Sequence, residues 1–179
     1  MPVNKKKIYA NPLEKFRDID TVIMDVDGVL TNNQMLITEA GEMLRSMSAR
    51  DGYVIKRALS AGIRIAVITG GYSEGVSKRL EGLGIKDVFI RARDKVGPFE
   101  ELVVKYDLDP DRILYIGDDM PDYFVMQKTG MAACPIDAIP EIRELCDYVS
   151  PVKGGEGCVR DILEKLLRIQ NKWMPEQYK

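Results

Sequence analysis

Two carboxylates one residue apart, Asp25 and Asp27, close the apolar run Thr21-Val22-Ile23-Met24 and are followed at once by Gly28. On a continuing strand the two side chains would share one face about 7 Å apart, because strand faces alternate with period two. Anions so placed repel one another unless a cation lies between them, and a hard divalent ion such as Mg2+ takes carboxylate and carbonyl oxygens as ligands. The pair therefore points to a metal more readily than to a bare acid/base dyad. Three further strand-like runs end in complementary groups. Ile65 to Ile68 runs into Thr69 and Gly70, a short run from Asp87 to Ile90 precedes Lys95, and Ile113 to Ile116 runs into Gly117, Asp118 and Asp119, with Asp122 just beyond. An isolated D-x-D-G is compatible with two acids capping a turn; four such strand ends in this order make a joint signal.

The chemistry this set can perform is attack on phosphorus. A divalent ion offsets the repulsion between an attacking carboxylate and a phosphate dianion, so Asp25 can act as nucleophile and form an acyl phosphate. Asp27 can protonate the leaving alkoxide and later deprotonate the hydrolytic water. Asp25 and Asp118 would hold the metal by their carboxylates and Asp27 by its backbone carbonyl. Thr69, the Gly70 amide and Lys95 are donors for the charge that spreads over the phosphoryl oxygens.

Composition narrows the alternatives. The chain has no histidine, which removes Ser-His-Asp and Cys-His catalysis and imidazole metal sites together. A net charge of −2 gives no basic excess for nucleic acid or an anionic membrane surface. No apolar run approaches membrane-span length and the first residues lack a signal-peptide core, so the expected location is the cytoplasm. Cys134, Cys146 and Cys158 are too widely spaced for a metal pair and read as buried, inert thiols.

The elements that must position these groups alternate between strand and helix periodicity. Strands are expected over 21–26, 64–69, 87–90, 112–117, 131–134 and 148–150, and helices over 53–61, 74–83, 96–106, 123–128, 140–146 and 157–170, with Ser73 capping the second helix. Residues 32–48 read as a β-hairpin turning at Gly41. Residues 1–18, with Lys5-Lys6-Lys7, form a lead-in, and 170–179 a tail that contains Trp173. Such alternation in 179 residues argues one α/β domain, a doubly wound parallel sheet with helices on both faces.

The four motifs resemble the haloacid dehalogenase superfamily of aspartate-nucleophile phosphatases, whose members carry DxD, a Thr or Ser, a Lys and a GDDxxD cluster. The resemblance implies a Rossmann-like fold, gives Asp25, Asp27, Thr69, Gly70, Lys95 and Asp118 the roles above, and makes Asp119 and Asp122 outer supports of the metal. Only a hairpin and one helix fill the interval between Asp25 and Thr69, so no cap domain fits. The capless arrangement, together with Ala49-Arg50-Asp51-Gly52-Tyr53 and Gly154-Gly155-Glu156-Gly157-Cys158-Val159-Arg160, resembles the tetrameric 3-deoxy-D-manno-octulosonate 8-phosphate phosphatases of lipopolysaccharide precursor synthesis. That family implies Mg2+ as cofactor, a sugar acid phosphate as substrate and a homotetramer in which one subunit's hairpin covers another's site. It also implies that Arg50, Asp51, Gly52, Lys56 and Arg79 hold the sugar acid. One departure stands out: Gly71 occupies the place where the family usually has Arg after Thr-Gly. A nine-carbon nonulosonate 9-phosphate is the nearest alternative substrate, and a signalling receiver phosphorylated on Asp is the alternative of another class. The glycine-rich turn 154–157 and the tail are expected to approach a neighbouring site.

Overall fold

The computed structural model describes residues 11–174; the Lys5 to Lys7 run and the end of the tail lie outside them. In chain order come β1 (Thr21–Met24), β2 (Leu36–Ile37), β3 (Met43–Leu44), α1 (Ala49–Ser60), β4 (Arg64–Ile68), α2 (Glu74–Leu83) and β5 (Asp87–Phe89). They are followed by α3 (Val96–Tyr106), β6 (Ile113–Ile116), α4 (Met120–Met126), β7 (Met131–Cys134), α5 (Pro140–Leu145), β8 (Tyr148–Val149) and α6 (Cys158–Ile169). Six strands pair in the order β5-β4-β1-β6-β7-β8, each pair parallel.

Alternation along each strand builds two cores. Val22, Met24, Ile65, Val67, Leu114 and Ile116 point into a cluster with the apolar stripes of α1, α2 and α6. Ile23, Ala66, Ile68, Ile113 and Tyr115 point into another with α3, α4 and α5. Because both faces are covered, β1 and β6 are buried throughout, which is why they read as unbroken apolar runs. From β1 the chain winds outward through β4 and β5, then returns to β6 on the other side and continues through β7 and β8. The direction of winding reverses between β1 and β6, and the carboxyl end of the sheet opens there into a crevice. Met24 is in register with Val67 on one side and Ile116 on the other, so the residues after all three strands emerge together.

β1 ends at Met24, two residues short of expectation, and two helix starts and the hairpin differ more. Helix α1 begins at Ala49, with the Ser48 hydroxyl oxygen accepting from the Arg50 amide at 3.2 Å, so Arg50, Asp51 and Gly52 lie in its first turn instead of before it. Gly52 had hidden that turn, since glycine lowers helix propensity. Helix α4 begins at Met120, capped by Asp119 and with Pro121 in its first turn, ahead of the expected Tyr123. The hairpin strands β2 and β3 are two residues each, turn at Gly41 (φ 80°), and leave Leu36 and Ile37 67% and 66% exposed.

Candidate active site

The site grows from the end of β1. The Asp25 amide still donates to the Ile116 carbonyl at 3.0 Å, as if the strand continued. The chain then turns, and the Val29, Leu30 and Thr31 amides all donate to the Val26 carbonyl. Gly28 makes the turn possible: its φ is 89°, and a Cβ there would overlap the Asp118 carboxylate and the Asn33 amide. Asp25 is thereby presented at the head of the crevice, while Asp27 is carried round to the cleft.

Lys95, at the start of α3, enters from the far side of β4 with only 3% of its surface exposed. Its Nζ lies 2.7 Å from Asp25 Oδ2 and 2.7 Å from Asp122 Oδ1. Asp122, fully buried on α4, also accepts from the Tyr115 hydroxyl at 2.8 Å and from the Asp118 amide at 3.2 Å. Asp118 Oδ2 accepts from Asn33 Nδ2 at 2.7 Å, and its other oxygen is buried without a hydrogen-bond partner. Asp25, Asp118 and Asp122 each bring a carboxylate oxygen within 4.8 Å of the others.

Three carboxylates thus surround a single ammonium in a buried pocket, and the acidities of Asp25 and Asp118 reflect it. Burial, with the Asp122 charge adding to it, raises Asp25 to about 6 against the pull of Lys95. Burial and the neighbouring acids raise Asp118 to about 7, although the Asn33 amide opposes them. Burial would lower Lys95, but Asp122 and Asp25 outweigh it and hold the ammonium charged. A divalent cation fits this donor set: it would relieve the excess negative charge and give the unpartnered Asp118 oxygen a partner.

The other expected residues divide. Thr69 is buried at the end of β4, its amide on the Phe89 carbonyl at 2.8 Å and its hydroxyl oxygen accepting from the Gly71 amide at 3.2 Å; Gly70 is exposed beside it. Thr69 and Asp27 line one open cleft with Val26, Arg45, Gly71 and Tyr72. The Asp27 carboxylate is engaged by Arg45 and accepts from the Thr31 hydroxyl at 3.2 Å. Asp119 is exposed and caps α4, whereas Asp122 is fully buried, with an oxygen near those of Asp25 and Asp118 and its carboxylate holding Lys95, the Tyr115 hydroxyl and the Asp118 amide.

Arg50, Lys56 and Arg79 are exposed and line no part of that cleft. Gly52 packs so closely on the Arg79 guanidinium that a Cβ would overlap it. Asp51 faces inward, 1% exposed, and accepts from the Arg160 amide in the first turn of α6 at 2.7 Å. The glycine-rich turn packs on its own chain: the Gly155 amide donates to the Val29 carbonyl at 3.0 Å and Cys158 Sγ to the same oxygen at 3.2 Å. Trp173 also stays on its own chain, edge-on to Tyr53 and under Arg160 and Arg168. Sequence reasoning missed Arg45, Asn33 and Tyr115. Only for Asn33 was there a local signal, a residue tolerant of positive φ (59°) just after the Asp25 loop.

A strand-end aspartate at a switch point, paired to a buried lysine and backed by further acids, defines an aspartate-nucleophile phosphatase of the haloacid dehalogenase type. Comparison with protein-family models finds no match. Among curated proteins, the chain is 36% identical over 165 residues to the 3-deoxy-D-manno-octulosonate 8-phosphate phosphatase of Escherichia coli, covering 92% of this chain and 88% of that one. Among solved structures, the enzyme of that name from Yersinia pestis superposes with TM-score 0.89 at 31% identity, covering 93% and 90% of the two chains. The one from Moraxella catarrhalis, in complex with magnesium, phosphate and KDO, superposes with TM-score 0.87 at 30% identity, covering 90% and 93%. The chain belongs to the 3-deoxy-D-manno-octulosonate 8-phosphate phosphatase family.

Proposed function

We propose that the chain hydrolyses the phosphate ester of a sugar acid, 3-deoxy-D-manno-octulosonate 8-phosphate, to the free sugar acid and inorganic phosphate, with Mg2+ as cofactor. The reaction is carried by one observation: the Asp25 carboxylate sits just past the end of β1, where the winding of the sheet reverses, fixed through Oδ2 by Lys95 and through Oδ1 by the Val26 amide at 2.6 Å. The identity of the sugar acid rests on the family, whose named members act on the eight-carbon compound, and this disfavours the nine-carbon alternative. The receiver alternative is disfavoured as well, since the similar solved structures are hydrolases and phosphatases.

In this reading Asp25 attacks phosphorus, the bond from phosphorus to the sugar oxygen breaks, and Asp27 gives that oxygen a proton. Water, deprotonated by Asp27, then attacks the phosphoaspartate and restores Asp25. Thr69, the Gly70 amide and Lys95 bind the equatorial oxygens in both steps. Asp25 and Asp118, with the Asp27 carbonyl, would hold Mg2+, which when bound draws negative charge from the phosphoryl group, and Asp122 steadies Lys95 and the Asp118 amide behind them. Asp119 supports this shell only through the helix it caps.

We place the enzyme in the cytoplasm, in the synthesis of a lipopolysaccharide precursor, as a homotetramer. In support, among the described residues no helix is long and apolar enough to cross a membrane, and the exposed apolar hairpin needs a partner surface. In this assembly Arg50, Lys56 and Arg79 serve the site of a neighbouring subunit. The decisive experiment measures Mg2+-dependent phosphate release from eight- and nine-carbon sugar acid phosphates, with hexose phosphates as controls. Preference for the eight-carbon compound is expected; equal rates on hexose phosphates would refute the substrate assignment.

A further inference from the structure

Arg45 stands on the hairpin, just beyond β3, yet its side chain is only 5% exposed, because it reaches back into the cleft. There it closes on both oxygens of Asp27, with Nε 2.7 Å from Oδ1 and a terminal nitrogen 3.1 Å from Oδ2. Gly71 makes room for the pair. A Cβ at that position would lie 3.1 Å from Asp27 Oδ2 and 3.4 Å from the Arg45 terminal nitrogen, and any larger side chain would enter the volume that the guanidinium fills. Arg45 thus brings a guanidinium from the hairpin into the space that Gly71, having no side chain, leaves open beside Asp27.

While both its oxygens are engaged, Asp27 cannot turn one of them to a leaving oxygen. Releasing it would leave the guanidinium without its counter-charge, which is unfavourable unless another anion takes the place of the first. The fork of Arg45 fits a second carboxylate as well as it fits Asp27, and the cleft that holds the pair is also lined by Tyr72, Ser73 and Ser77, which offer further polar groups to a bound ester. We propose that Arg45 is a specificity-determining residue that exchanges one carboxylate for another: it holds Asp27 in the empty cleft and passes to the carboxylate of the sugar acid when substrate binds, freeing Asp27 to face the scissile oxygen. The proposal rests on the sugar acid phosphatase reading above. A phosphate ester with a neutral leaving group cannot make the exchange, so it binds with Asp27 still locked.

The test compares wild type, Arg45→Met and Gly71→Val, each with saturating Mg2+, on 3-deoxy-D-manno-octulosonate 8-phosphate and on glucose 6-phosphate. In Arg45→Met, kcat/KM on the sugar acid phosphate should fall roughly tenfold or more while that on glucose 6-phosphate holds or rises. The preference between the two substrates therefore collapses. Gly71→Val, which leaves every charge in place, should erode the preference in the same direction. A purely structural role for Arg45 lowers both substrates alike, and equal losses in Arg45→Met, or an unchanged preference in Gly71→Val, would overturn the proposal. A wild type with no preference for the sugar acid phosphate instead overturns the functional reading on which it stands.

Discussion

At the scale of single residues, the charge imbalance around Asp25 sets the chemistry. Asp25→Asn removes the nucleophile and should abolish phosphate release, with a melting temperature no lower than wild type because one of three crowded carboxylates is gone. Asp27→Asn should retain Mg2+ binding and lose roughly 100- to 10,000-fold in kcat, the usual worth of a positioned acid and base. Phosphate release at near-wild-type rates in either folded variant would remove that residue from the mechanism. The same imbalance fixes a pH dependence. Asp25 and Asp118 are raised from the ordinary 3.8 to about 6 and about 7, so without metal the folded chain binds more protons than the unfolded chain between those limits. Their contribution to stability is complete below pH 3.8 and is lost as pH rises through 6 to 7. Mg2+ must displace those protons, so its affinity should increase across the same window. Melting curves in EDTA and in Mg2+ at pH 5 and pH 8 check this: the Mg2+-induced rise should be larger at pH 8, and an equal rise at both would contradict the assignment.

At the scale of elements, Asp51 joins two helices. Its carboxylate accepts from the Arg160 amide at the start of α6, where the helix dipole favours an anion, and this ties the first turn of α1 to the glycine-rich turn that packs under the Asp25 loop. Burial nevertheless raises Asp51 to about 6, and its second oxygen has no hydrogen-bond partner. Asp51→Ala should cost about 1–3 kcal/mol through the lost cap and the freed Arg160 amide. Asp51→Asn, which keeps an acceptor and removes the buried charge, should cost less at pH 8. Urea unfolding of the two variants measures the difference, and a larger loss in Asn than in Ala would show that the carboxylate charge itself holds the helices together.

At the scale of the whole molecule, the hairpin and the tail separate two kinds of surface. Trp173 is anchored within its own chain, and the Arg57 guanidinium donates to the Trp173 carbonyl at 3.0 Å. Truncation after Ile169 should therefore lower the melting temperature by several degrees even where assembly is intact. Leu36, Ile37, Met43 and Leu44 are instead turned outward on a two-stranded insertion that has no core of its own. Replacing Leu36 and Ile37 together by Lys should leave the melting of the subunit fold nearly unchanged and, on the tetramer proposed above, move sedimentation from tetramer towards monomer. A tetramer that persists in this variant would exclude the hairpin from the assembly.

The sequence by itself determined the doubly wound parallel sheet and the placing of Asp25, Thr69 and Asp118 at its strand ends and of Lys95 at the start of a helix, because buried parallel strands must be apolar and polar residues just past them mark where the strands stop. It also located α2 and its Ser73 cap, where local hydrogen bonding decides the boundary. Only the tertiary structure decided what was paired with what. Asp122 stands beside Asp25 because α4 starts early enough to turn it inward, Asp51 serves a helix more than a hundred residues away, and Arg45 meets Asp27 because the hairpin folds back over a glycine. Periodicity records the face on which a side chain lies; it carries no information about which distant charge occupies the same small volume, and in a buried site that neighbour decides ionisation, orientation and role.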